Sequence, residues 1–229
     1  MVVPSEFTSR EVQRLLDVPL ERISICSPGA PAWKPRRPDG PAGSYVLFLG
    51  TLEPRKNLGA LLDAYELLAG RRSVPPLLLA GKATSATREW LDRLARPPLR
   101  GLVRHLGYVD PAARRDLYEG ALMLVQPSFE EGFGLPALEA MTAGVPVVAA
   151  DRGALPEVLG GAGLLVEPDD PEQIAAAIER FVDDKPAARD ASARGVDRAK
   201  HFTWARAARD TLAAYRLAIE ARAQKRGAA

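Results

Sequence analysis

From Tyr45 onward the chain alternates two kinds of apolar pattern. Short continuous runs come first: Tyr45–Leu49 (YVLFL), Leu77–Ala80 (LLLA), Leu102–Leu106, Ala121–Val125 (ALMLV), Pro146–Ala150 (PVVAA) and Gly163–Val166. Runs of this length, bounded by glycine and proline, predict strands covered on both faces, as in a parallel sheet. Between them apolar residues recur at helical spacing. Leu58, Leu61, Leu62, Tyr65 and Leu68 mark one helix; Trp90, Leu91 and Leu94 mark a second. Leu117 and Tyr118 mark a short third, and Leu135, Leu138 and Thr142 a fourth. Ile174, Ile178, Phe181 and Val182 mark a fifth, with Asp170 as its N-cap and Pro171 at its first position. Strand and helix in alternation predict an α/β fold with a single Rossmann-like, doubly wound parallel sheet.

The two ends break this rhythm. A helix over Ser9–Leu16 and a strand over Ile23–Cys26 precede a proline- and glycine-rich stretch, residues 28–43, which reads as a loop or linker. After Lys185 the pattern is helical to the end, with the last helix opening near Thr203 and its tail expected to fray. The expected division is residues 1–43 as an end piece and connection, 44–202 as the Rossmann-like domain, and 203–229 as a C-terminal helical extension.

Composition adds limits. Of 229 residues, 47% are hydrophobic and 26% charged, values of an ordinary globular chain. Lys+Arg at 31 against Asp+Glu at 29 leave a net charge of +2, which argues against nucleic acid as the main partner. No apolar run reaches the roughly 20 residues of a membrane span, and no signal peptide is visible. One cysteine, Cys26, gives neither a disulfide framework nor a thiolate zinc site. A cytoplasmic location is expected.

Two clusters carry candidate chemistry. Gln126–Pro146 (QPSFEEGFGLPALEAMTAGVP) starts at the C-terminal end of a strand, the edge where open α/β sheets bind ligands. Gly132 and Gly134 let the backbone approach a ligand, and Pro136 suits the first turn of the helix that follows. Free N–H groups and a partial positive charge at that helix start favour a phosphate. Glu131 and Glu139, eight residues apart, bracket the same place. Carboxylates repel phosphate but accept hydrogen bonds from paired hydroxyls, so the combination suits a nucleotide-sugar. The second cluster, Gly50–Asn57 (GTLEPRKN), follows another strand and sets Arg55 and Lys56 at the mouth of a helix opened by Asn57. Lys82 is a third cation at the same edge. His105 and His201 lack metal-ligand spacing, Glu167–Asp170 reads as a helix cap, and Ser128 lacks the nucleophile-elbow pattern. Dinucleotide and P-loop glycine signatures are absent.

Taken in order, GTLEPRKN, LLLAG, LGYV, PSFEEGFGLPALEAM, GVPVVA and GALPEVLGGAGLLVEPDDPE resemble the C-terminal, donor-binding domain of family 4 glycosyltransferases with the GT-B fold. The resemblance is strong over residues 45–185 and extends weakly to VPSEFTSREV and ISICSPGA. It implies a retaining, metal-independent transferase with no cofactor, acting on a GDP- or UDP-linked sugar, with a tendency in the PRKN subgroup toward mannosyl transfer. It assigns catalytic roles to Glu131 and Lys56. Donor contacts would come from Gly50, Thr51, Arg55, Lys56 and Lys82, from Tyr108 and Val109 near the base, and from Gly132, Phe133, Gly134 and Leu135. Glu131 would meet the sugar and Glu139 the ribose. Thr51 departs from the pattern, since the family often has arginine there. The acceptor domain and its catalytic histidine have no counterpart, so the chain is expected to bind a sugar nucleotide yet transfer nothing alone. Expected partners are a separate chain carrying the first domain, or a second copy through the C-terminal helix, where Trp204, Leu212, Tyr215 and Ile219 form a stripe; a membrane surface would be met only through the missing domain. Alternatives are a non-catalytic interaction domain, half of a split enzyme, and a phosphate-dependent epimerase of the same fold.

Overall fold

A computed structural model describes residues 1–37 and 43–227, with side chains through residue 223. Part of the predicted linker, residues 38–42, and the last two residues of the tail lie outside the described residues. The elements in chain order are β1 (Val2–Val3), α1 (Glu6–Leu16), β2 (Ser24–Ile25), β3 (Tyr45–Leu49), α2 (Leu58–Arg71), β4 (Leu77–Ala80), α3 (Arg88–Leu94) and β5 (Val103–Gly107). There follow α4 (Arg114–Glu119), β6 (Ala121–Gln126), α5 (Leu135–Thr142), β7 (Val147–Ala150), α6 (Leu155–Leu159), β8 (Leu164–Val166), α7 (Pro171–Asp183), α8 (Lys185–Ala199) and α9 (Trp204–Gly227).

Six strands form one sheet in the order β5-β4-β3-β6-β7-β8, every neighbouring pair parallel. Counted from β3 this is the order 3-2-1-4-5-6, with the chain reversing direction across the sheet between β3 and β6. Central strands are apolar throughout because both faces are covered. Phe48, Leu79 and Val125 face a core closed by α2 and α7, while Leu47, Leu124 and Val147 face one closed by α5 and α6. Asp170 caps α7 as expected, its side chain accepting from the Gln173 amide, with Pro171 in the first turn.

Two local expectations are corrected. Asn57 precedes α2 in a left-handed conformation (φ 53°, ψ 41°) and makes no side-chain cap. Its amide instead donates to the carbonyls of Pro127 (3.1 Å) and Pro168 (2.7 Å), tying the loop after β3 to those after β6 and β8. The first helix begins at Glu6 rather than Ser9, because distant groups satisfy its early amides. The last helix, expected to open near Thr203, runs from Trp204 through Gly227. Sequence reading also missed β1, which pairs in parallel with β2, and the short α6. No helix among the described residues is long and apolar enough to cross a membrane. On α9, Trp204, Leu212, Tyr215 and Ile219 are all exposed.

Candidate functional site

The carboxyl ends of β3 and β6 diverge at the reversal point, and the loops after them meet there. Residues Pro54–Lys56 form a single 3₁₀ turn. The Arg55 carbonyl accepts from the Phe129 amide at 2.9 Å, and the Arg55 guanidinium donates to the Glu130 carbonyl at 3.2 Å. These bonds, with the Asn57 ties, hold the two loops face to face.

At the floor of the junction lies a buried ion pair. Lys56 and Glu131 are only 7% and 6% exposed, and the Lys56 ammonium donates to Glu131 Oε1. The same oxygen accepts from Gln126 Nε2 at 2.6 Å and from Ser128 Oγ at 2.9 Å. Glu131 Oε2 faces Arg55 at 3.8 Å. Burial of a carboxylate this deep requires such saturation, since an unpaired charge there would cost several kcal/mol. Gln126 Oε1 is buried without a partner among the described residues. Turning the amide over would set oxygen against oxygen at 2.6 Å, so Nε2 has to face the carboxylate.

Behind Glu131 the chain is compressed. A methyl group at Gly153 would lie 2.8 Å from the Glu131 nitrogen, and Gly153 has φ +62°. The Ala154 amide donates to the Glu131 carbonyl at 2.9 Å. Ahead of it, Gly134 takes φ +95° to turn the chain into α5, with Pro136 in the first turn. The amides of Gly132, Phe133, Gly134 and Leu135 donate to no group among the described residues. They are an open row of N–H groups at a helix start, the arrangement that suits an anion. The Phe133 ring itself is buried edge-to-face on Phe202, centroids 5.6 Å apart. Leu135 is half exposed.

A cleft of about 230 Å³ opens beside this floor, lined by Gly50, Thr51, Gly81, Lys82, Tyr108, Val109 and Arg114 among others. A methyl at Gly50 would lie 3.8 Å from Lys56 Nζ, so cleft and ion pair adjoin. Lys82 Nζ stands 5.1 Å from the centre of the exposed Tyr108 ring. His105, set aside on sequence, has its Nε2 at 2.8 Å from the Gly81 carbonyl and braces the cleft wall. Arg114 reaches from the cleft to Glu139 Oε1 at 3.3 Å. Glu139 Oε2 accepts from Tyr118 Oη at 2.9 Å. Burial, then the adjacent Glu139 charge, push the Tyr118 hydroxyl well above its ordinary range and keep it a donor. A larger hollow of about 560 Å³ lies against α8, near the amino end of β6, and holds none of the sequence-predicted residues.

The structure therefore brings Lys56, Arg55 and Glu131 together, sets Gly50, Thr51, Lys82, Tyr108 and Val109 around the adjoining cleft, and joins Glu139 to that cleft through Arg114. Gln126, Ser128, Arg114 and Tyr118 were missed as site residues. A glutamine ending the apolar run ALMLVQ is a sequence signal for the first. The four-residue spacing of Arg114 and Tyr118, which puts both on one face of α4, is a signal for the last two.

This sheet order with helices on both faces is a Rossmann-like α/β domain, and the chain shares it with solved GT-B glycosyltransferases. A family model described as glycosyl transferases group 1 matches residues 43–184, and the chain belongs to that family. It is similar to O-antigen chain mannosyltransferase B of Escherichia coli, with 39% identity over 93% of this chain and 59% of that protein. Sucrose-phosphate synthase of Thermosynechococcus elongatus superposes with a TM-score of 0.80 at 27% identity, over 96% of this chain and 58% of that one. The C-terminal domain of a glycosyl transferase group 1 family protein from Francisella tularensis superposes with a TM-score of 0.63 at 25% identity, over 70% of this chain and 86% of that one. The chain thus spans a little over half the length of the first two.

Proposed function

We propose that this chain is the donor-binding half of a retaining glycosyltransferase that takes its sugar from a nucleoside diphosphate without a metal ion. One observation carries the reading: a row of amides at the start of α5, unpartnered among the described residues, directly follows Glu131 of the buried Lys56–Glu131 pair at the carboxyl ends of β3 and β6. Breaking a sugar–phosphate bond builds negative charge on the leaving diphosphate. Lys56, Arg55 and the amides of Gly132 to Leu135 are fixed donors for that charge. Losing one such donor typically costs about 3–4 kcal/mol in barrier. Glu131 Oε2 is left to accept from a sugar hydroxyl, and Glu139, held by Arg114 and Tyr118, from a ribose diol. Tyr108 and Val109 would border the base, with Lys82 over the Tyr108 ring and Thr51 in place of an arginine. The mannosyltransferase among the relatives supports a mannosyl donor, linked to GDP or UDP. The acceptor site would be supplied by a part of the protein that the longer relatives possess, or by a separate chain.

Calorimetric titration with GDP, UDP and their sugars tests the reading. Binding is expected, weakened at least tenfold by Lys56→Ala and by Glu139→Ala. Absence of binding to every nucleotide at millimolar concentration overturns it. A second reading, a non-catalytic interaction domain of the same fold, draws support from the exposed apolar stripe of α9. It predicts that Lys56→Ala and Glu131→Gln leave cellular function intact.

A further inference from the structure

Helix α1 lies outside the six-stranded sheet, yet it grips the loop that carries the amide row. Ser5 Oγ and Thr8 Oγ1 both donate to the Gly132 carbonyl, at 2.6 and 2.9 Å. Ser5 is fully buried, and its oxygen also accepts from the Thr8 amide at 3.0 Å, capping α1. The next two free amides of the helix go elsewhere: Glu6 N and Phe7 N donate to the two oxygens of Glu157, at 2.9 and 3.0 Å. Glu157 is on α6, just after the segment that presses on Glu131. Every early amide of α1 is thus satisfied by its cap or by Glu157, and both hydroxyls at its start are spent on one carbonyl.

The consequence follows from peptide geometry. The Gly132 carbonyl and the Phe133 amide belong to one planar, trans unit, so they point in opposite directions. A carbonyl held by two hydroxyls, themselves 3.0 Å apart, holds the amide too. Gly132 is also the closest approach: a methyl there would lie 3.4 Å from Thr8 Oγ1.

We infer that Ser5, Thr8 and Glu157 form a clamp through which α1 orients the Phe133 amide, so that docking of the N-terminal segment and affinity for the nucleotide diphosphate are coupled. These are positioning residues; none touches the cleft. The coupling to affinity rests on the functional reading above, whereas the clamp itself does not. Displacing α1 would release the Gly132–Phe133 peptide to rotate and would lower affinity, and a bound diphosphate would in turn tighten α1 against the loop, by linkage.

Thr8→Val is the informative variant, because it keeps shape and the Ser5 cap while removing one donor. Backbone ¹⁵N relaxation of the unliganded protein reads the clamp directly. Order parameters at Gly132 and Phe133 are expected near the rigid value of about 0.85 in the wild type and to fall toward about 0.6 in Thr8→Val. Thr8→Ser should restore them. Glu157→Gln, which removes one acceptor from the α1 amides, should loosen the same two residues from a distance. GDP or UDP affinity should drop roughly three- to tenfold in Thr8→Val, the effect of one lost hydrogen bond, and recover in Thr8→Ser. A purely structural role would lower the melting temperature and leave both readouts in place. Unchanged order parameters in Thr8→Val and Glu157→Gln would overturn the clamp. Lowered order parameters with unchanged nucleotide affinity would overturn the coupling. A wild-type protein that binds no nucleotide, with the relaxation result as expected, would sink the functional reading and leave the clamp standing.

Discussion

Removing the ammonium of Lys56 should be the most damaging single change at the site. The lysine and its partner Glu131 are both more than nine-tenths buried, so Lys56→Met strands a carboxylate that water reaches poorly. Breaking a buried pair from one side costs about 3–5 kcal/mol. Here Gln126 at 2.6 Å and Ser128 at 2.9 Å still serve the stranded oxygen, and Arg55 stands 3.8 Å from the other. Those contacts place the expected loss at the low end, about 3 kcal/mol. With a urea slope of about 2–3 kcal/mol per molar, the unfolding midpoint should fall by about 1–1.5 M. Glu131→Gln alone should be comparably harmful, since it strands the lysine. Lys56→Met with Glu131→Gln removes both charges and keeps the volume, so it should recover most of the loss. The two single losses should then exceed the double by at least about 2 kcal/mol. The same double variant should fold and still fail to bind a sugar nucleotide, which would separate the pair's role in binding from its role in stability. Lys56→Met within about 0.5 kcal/mol of the wild type, or strictly additive losses, would refute the argument that this pair is buried and mutually dependent.

Gly153→Ala should cost about 2 kcal/mol or more, because it combines a positive φ with a methyl 2.8 Å from the Glu131 backbone; thermal melting measures it, and nucleotide affinity should fall with it. Tyr65 and Tyr118 should stay protonated in the folded protein well above pH 10, since burial raises both hydroxyls. Their folded values lie above the unfolded one, so this stability is fully present below about pH 10 and is lost as pH rises beyond it. Absorbance at 295 nm should show these two ionising only as the protein unfolds. Tyr118→Phe should weaken nucleotide binding about threefold to tenfold by freeing Glu139 from one of its two donors, a change calorimetry resolves.

The central strands were legible because they are buried on both faces and so carry uninterrupted apolar runs, whereas the edge strand β5 holds Arg104 and His105 and alternates in exposure. Helices α2, α5 and α7 were legible from spacing, and α7 also from Asp170 and Pro171. What escaped depends on partners far along the chain. Glu6 to Thr8 read as non-helical until Glu157, about 150 residues away, takes two of their amides. Asn57 looked like a cap because asparagine usually is one there; it was instead recruited by two carbonyls across the sheet edge. At the site, Lys56 and Glu131 were visible as charges just past strand ends, and Glu139 as a charge on the helix that follows. Gln126 and Tyr118 offered only faint signals, a polar end to an apolar strand and a four-residue spacing from Arg114, and folding shows the carboxylate each one serves. Ser128 lacks the nucleophile-elbow pattern, and its hydroxyl donates to Glu131.

The ion pair joins residues 75 positions apart, one from each side of the reversal point between β3 and β6. Neither flank of the sheet holds a site by itself. Under the proposed function, a chain with one wing unravelled would lose its affinity for the diphosphate, so the ligand would act only on molecules whose two wings are already zipped together. At a hundred times its dissociation constant such a ligand adds about 2.7 kcal/mol to the whole.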